Sequence, residues 1–136
     1  MEPVSMNYLA MVVAAVAHTI LGALWYAPFL FGNAWMKAIG KTKEQVAADY
    51  SPWKIVGALI GSFFVAYGIA RILTWIAVDP AWGGFGVALL AAICFVAATA
   101  AVNDLMEGRP CKLFFINAFY NIVGFVIMGL IIGFWR

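Results

Sequence analysis

The sequence predicts an all-α fold: a four-transmembrane-helix bundle with both termini outside and short amphipathic helical segments in the first cytoplasmic loop. Three observations predict it. The chain is 66% hydrophobic and only 10% charged, against roughly 45–50% and about 25% in soluble domains. So few charges cannot cover a water-facing surface. Four apolar stretches, about 8–27, 53–78, 82–103 and 113–135, each approach or exceed the roughly 20 residues that a bilayer demands. Lys and Arg collect on alternate connections between those stretches, as they do in multi-pass membrane proteins. The 136 residues are therefore expected to form one integral membrane domain whose first partner is the lipid bilayer.

Composition also excludes. A net charge of +2 is too small to suggest a nucleic-acid partner. Cys94 and Cys111 show no metal spacing, and no cofactor motif is present, so neither a metal nor a cofactor is expected. Ala15-Val16-Ala17 imitates a leader-cleavage pattern. The segment before it carries Glu2 and no Lys or Arg, however, and the apolar run continues to Ala27, so it is expected to remain as a span.

The span boundaries follow local chemistry. Pro28 closes the first, and Ser51-Pro52 opens the second as N-cap and first helical residue. Asp79-Pro80 separates the second from the third, and Gly108 with Pro110 makes the turn before the fourth. Trp25, Tyr26, Trp53, Trp75, Trp82 and Trp135 fall near the ends, where an aromatic belt belongs. Lys37, Lys41, Lys43 and Lys54 mark the first connection and Arg109 and Lys112 the third, leaving Arg71 and Arg136 for the opposite side. The positive-inside rule then puts both basic connections in the cytoplasm. Within the first, Asn33 is a candidate cap for AWMKAI, which Gly40 would end, and Thr42 with Gln45 is a candidate capping box. Trp35 and Met36 beside Lys37 suit an element lying in the headgroup layer.

Polar residues inside the spans are the candidate functional residues. An amide without a partner in hydrocarbon costs several kcal/mol, roughly 4–8 on a water-to-alkane scale, so such groups turn inward. Asn117 and Asn121 lie one turn apart on the fourth span, on a stripe with Phe114, Gly124 and Met128. His18 lies in the first span, with Gly22 and Trp25 four and seven residues on. Counted from the cytoplasmic end at ~1.5 Å per residue, His18 is about 15 Å deep and Asn121 about 13 Å, while Thr99 shares a shallower level with Asn117. His18, Thr99, Asn117 and Asn121 are thus candidates for a ligand or proton site. Interhelical hydrogen bonding, worth roughly 0.6 kcal/mol and up to about 2, is the plainer role. Arg71, about 27 Å along its span at ~1.5 Å per residue, is expected near the outer surface, snorkelling or meeting Asp79.

Two further groups stand out. Gly57 and Gly61 form GxxxG, with Gly68 seven residues on, a small-residue face suited to close helix packing within the chain or between copies. Asn103, Asp104, Glu107 and Arg109 crowd a short turn, either as a capped hairpin or as a cytoplasmic mouth to the polar interior.

HTILGALWYAPFLFGNAWMKAIG and NDLMEGRPCKLFFINAFYNIVGFVIMGLIIGFW together resemble the bacterial membrane protein family catalogued as domain of unknown function 1761. The matching pieces are Gly22, Trp25, Tyr26 and Pro28; Phe31-Gly32 and Trp35-Met36; Glu107 to Pro110; Leu113, Phe114, Ile116 to Ala118 and Tyr120; and Met128-Gly129. Cys111 stands where an aliphatic residue is more usual. The resemblance implies a multi-pass protein of the bacterial inner membrane and brings no activity with it. No nucleophile–base pair, zinc or phosphate motif, or carboxylate pair at membrane depth is evident, so an enzyme is not expected. The expected function is binding or passing a small solute, ion or proton at the intramembrane site, as a homo-oligomer. The alternative is a non-catalytic packing module that oligomerises or holds a partner protein.

Overall fold

The computed structural model describes residues 5–76 and 78–135. Those residues form α1 (Tyr8–Trp25), α2 (Gly32–Ile39), α3 (Lys43–Ala48), α4 (Pro52–Trp75), α5 (Pro80–Leu90), a π-helical segment (Ala91–Ala97), α6 (Ala98–Glu107) and α7 (Cys111–Phe134). The stretch Ala81–Glu107 is one continuous rod, so four helices are long and apolar enough to cross a membrane.

Each helix begins and ends where side-chain chemistry allows. Asn7 caps α1, its Oδ1 accepting from the Ala10 amide at 3.0 Å. Asp79 caps α5, its Oδ1 accepting from the amides of Ala81 and Trp82; of the two roles expected of Arg71, snorkelling or meeting Asp79, the second is not made among the described residues. Arg71 instead donates to the Tyr67 hydroxyl one turn back, at 3.1 Å. Gly108 ends α6 with φ +70° and Gly40 ends α2 with φ +71°, the left-handed region that costs glycine no Cβ clash. In the first connection, Thr42 and Gln45 form a reciprocal capping box for α3. Asn33 does not cap α2; its amide donates to the Pro28 carbonyl. Lys41 donates to Asp49 at 2.7 Å across α3, and that bond holds the Asp49 carboxyl below its usual range.

α7 is the post around which the rest assembles, and it packs against α1, α4, α5, α6, the π segment and α2. It runs antiparallel to α1. Trp25 at the end of α1 meets Ile116 near the start of α7, while Asn7 before α1 donates to the Trp135 carbonyl after α7. The apolar core lies among Met11, Ala66, Ile69, Leu73, Ala88, Phe125, Met128 and Ile132. Lipid is as apolar as these side chains, so their closeness reflects van der Waals fit rather than escape from water.

The tightest fit lies between α5 and α7. A methyl group built on Gly84 or Gly129 would collide with the other's carbonyl oxygen, and one on Gly129 would also stand 2.7 Å from the Ala88 Cβ. Gly84 with Ala88, and Gly129 with Gly133, are both small-xxx-small pairs. Gly57, Gly61 and Gly68, like Gly86 on α5, face open space: a methyl group built there would meet nothing within 4 Å beyond its chain neighbours and its own helix backbone.

The third span behaves differently along its length. α5 is clamped on α7, but beyond the π segment the rod leans out. Leu105 is 76% and Met106 85% exposed on α6. A π turn closes i→i+5 bonds and rotates everything after it relative to an α-helix, and on α6 the inward stripe thins to the half-buried Ala100, Ala101 and Asp104.

Gly129→Val is expected to lower the thermal unfolding midpoint in detergent sharply. Overpacking costs typically 1–3 kcal/mol, and here backbone must move. Gly57→Val, on an open face, should leave the midpoint near that of the wild type. Equal effects would contradict this account of the seam.

Candidate functional site

His18, Gly22 and Trp25 project from one face of α1 because they are spaced four and three residues apart. All three land on α7. The His18 ring stacks on Tyr120, centroids 4.9 Å apart and planes within 11°, with the edge of Phe125 at 6.3 Å. Gly22 gives room for Tyr120: a methyl group there would be 2.8 Å from the hydroxyl oxygen. That hydroxyl donates to the His18 carbonyl at 3.2 Å. Trp25 Nε1 donates to the Ile116 carbonyl at 3.1 Å.

The chain then turns back on itself so that the next residues reach α7 as well. Tyr26 donates its phenol proton to Asn117 Oδ1 at 2.6 Å. It lies edge-on to Tyr120 and to Trp35 of α2, both at 5.4 Å between centroids. Gly32 closes the turn, its amide donating to the Ala27 carbonyl at 3.0 Å. A methyl group there would stand 2.7 Å from the Ala27 carbonyl carbon. A single clasp results, with α1 and the start of the first connection gripping the first half of α7.

α4 completes the deep end. Ser62 Oγ lies 2.8 Å from His18 Nδ1, with both residues buried. The other ring nitrogen, Nε2, is buried with no hydrogen-bond partner. It abuts Gly124, where an added methyl group would sit 2.5 Å away. Either tautomer leaves one ring nitrogen unmatched. If Nδ1 donates to Ser62, Nε2 keeps an unused lone pair; if Ser62 donates, Nε2 keeps an unused N–H.

A hydroxyl on an imidazole is the first half of a nucleophile–base arrangement, one that the sequence did not reveal. Among the described residues no carboxylate or other acceptor bonds the far nitrogen, and Ser62 is only 6% exposed. The pair forms a buried hydrogen bond between α1 and α4.

Of the four intramembrane candidates, the structure gathers two. His18 and Asn117 belong to the clasp, at different depths and with different partners. Asn121 is half-buried and is not bonded to His18, whose neighbours on α7 are Tyr120, Gly124 and Phe125. Thr99 is exposed on α6, away from Asn117. Of the turn residues, Asn103, Glu107 and Arg109 are exposed and Asp104 is intermediate. Glu107 pairs with Arg109 at 2.8 Å, and the Asp104 carbonyl accepts from the Arg109 amide at 2.9 Å. This geometry is a capped hairpin. Cys94 and Cys111 are free and exposed.

Residues from the two ends of the chain, quoted above for their resemblance to a known family, thus meet in one constellation. A family model described as "Protein of unknown function (DUF1761)" matches residues 9–133. The chain belongs to that family. The matched stretch includes the whole clasp, from His18 on α1 to Gly124 on α7. No curated protein and no solved structure matches the chain.

Three members of the clasp drew no bonding role from the sequence. Ser62 drew none, Tyr120 stood only among the residues of the family resemblance, and Tyr26 stood there and in the aromatic belt. A usable signal existed for Tyr120: it stands three residues after Asn117, hence on the same face. For Ser62 there was none beyond its depth.

A double-mutant cycle on Tyr26→Phe and Asn117→Ala, read from unfolding free energies in detergent, should give a coupling of about 0.6 kcal/mol and at most about 1.7. A coupling indistinguishable from zero would mean that the 2.6 Å bond contributes no stability.

Proposed function

We propose that the chain is a multi-pass membrane protein acting as a non-catalytic assembly module, with two copies meeting through the face of α4. One observation carries this. Gly57 and Gly61 are exposed, half-buried Gly68 follows, and beyond its chain neighbours and its own helix backbone nothing lies within 4 Å of where each side chain would begin. The bundle fills its other close approaches: Gly84 against Gly129, Gly22 under Tyr120, Gly124 under His18. In hydrocarbon a flat small-residue face lets two backbones approach closely, and van der Waals packing is what drives helix association there. Ile60 and Phe64, 54% and 68% exposed on α4, would flank the contact. The positive-inside rule supports basic connections in the cytoplasm, and the family resemblance supports a bacterial cytoplasmic membrane as the location.

A second reading keeps the small-solute or proton role, and the unmatched His18 Nε2 favours it. A ligand reaching that nitrogen would have to displace the Tyr120 ring or part α1 from α7. Asn121, half-buried at a similar depth, would be the next polar group along the way.

Self-association measured by energy transfer between labelled copies in vesicles distinguishes the two. The wild type should show transfer that rises with the protein-to-lipid ratio. Gly57→Ile with Gly61→Ile should weaken association at least tenfold. Monomeric wild type, or association unaffected by the double substitution, contradicts the assembly reading. For the second reading, a solute or proton flux into liposomes that is abolished by His18→Ala and reduced by Asn121→Ala is the expected result. Flux equal to that of the wild type in both variants contradicts it.

A further inference from the structure

We propose that the groove beside the start of α7 holds an anionic phospholipid, its acyl chain on the aromatic floor and its phosphate on Lys112. The floor is one face of α7: Lys112, Phe115, Ile116 and Phe119 line the groove at i, i+3, i+4 and i+7. Trp25, Phe31 and Ala34 make the wall. Phe115 and Phe119 are each 54% exposed, with their rings stacked along the helix at 6.3 Å.

Charge selects the headgroup. Among the described residues Lys112 is the one charged residue lining the groove; it does so with its methylene stem, the groove surface being apolar throughout, and no salt bridge engages its ammonium. The nearest acid in sequence, Glu107, is taken by Arg109. A phosphate with net negative charge, held outside the apolar groove, meets a free ammonium at the end of that stem, while a zwitterionic headgroup brings a cation that meets no acid. Position agrees with chemistry. Lys112 stands at the first turn of α7 and Phe119 about 10 Å further along it, at ~1.5 Å per residue. A charged end at the membrane boundary and an apolar tail below is the shape of a lipid.

The groove offers about 340 Å³, room for part of an acyl chain. The site does not depend on self-association through α4, which uses a different helix face.

Native mass spectrometry of the full chain, exposed in detergent to equal amounts of phosphatidylglycerol and phosphatidylcholine, tests this. Bound phosphatidylglycerol should predominate. Lys112→Gln should cut that preference about fivefold, the equivalent of roughly 1 kcal/mol per cation near an anionic surface. Ala34→Trp, which fills the groove, should reduce retention of both lipids. Lys43→Gln, on another connection helix, should leave the preference intact. An unchanged preference in Lys112→Gln, or an equal fall in Lys43→Gln, overturns the proposal in favour of diffuse attraction to the basic face. Ala34→Cys dimers that cross-link in a Cys94→Ser, Cys111→Ser background, without lipid retention, overturn it in favour of a second copy.

Discussion

Hydrocarbon makes no hydrogen bonds, and that constraint decides which way the last helix faces. α7 carries an amide at Asn117 and a phenol at Tyr120 within its first three turns. Each finds a partner on α1 or the residue after it: Asn117 with the Tyr26 hydroxyl, Tyr120 with the His18 carbonyl. Trp25 returns the contact by donating to the Ile116 carbonyl. Both components therefore hold the rotation of α7 about its axis, since turning it outward would strip several polar groups at once. Glycines at 22 and 124 make the approach possible by leaving space for a tyrosine and an imidazole.

With α7 oriented by polar bonds at one end, the other end is fixed by shape. Gly129 and Gly84 bring two backbones into contact, an arrangement that needs no polar group and tolerates no added carbon. The two halves of α7 thus hold its neighbours by different physics. One half is specified by hydrogen-bond direction, the other by the absence of side chains. The third span pivots between these regimes. Where it meets the glycine seam it is held; beyond the π segment a groove separates α6 from the start of α7, lined by Ala101, Asp104 and Leu105 on one side and Phe114 and Phe115 on the other.

Much of this was legible in the sequence, and the exceptions share a cause. Composition and length give the four spans, and Ser51-Pro52, Asp79-Pro80 and Gly108 give their edges, because those signals are local. Depth is legible too. His18 does lie level with the middle of α7, since rise per residue is nearly constant. Rotation is not. Level arithmetic joined His18 to Asn121, but the ring meets Tyr120 and Gly124 on either side of that residue. Thr99 does not meet Asn117 for a related reason: it follows the π segment and is exposed on the rod. GxxxG at Gly57 and Gly61 marks a surface fit for packing, yet the intramolecular seam uses the pairs at Gly84 and Gly129. Nothing in either motif says which will be used within the chain.

The orientation of α7 is the claim on which the clasp, the groove and the sealed histidine all depend. Nitroxide labels placed singly along α7 in vesicles, with relaxation by lipid-dissolved oxygen as the readout, test it directly. Labels at Phe115, Phe119 and Val123 should relax fast, and labels at Asn117, Tyr120 and Met128 slowly, tracing one helical period. The reverse phase, with the Asn117 position open to oxygen and Phe119 shielded, would contradict it.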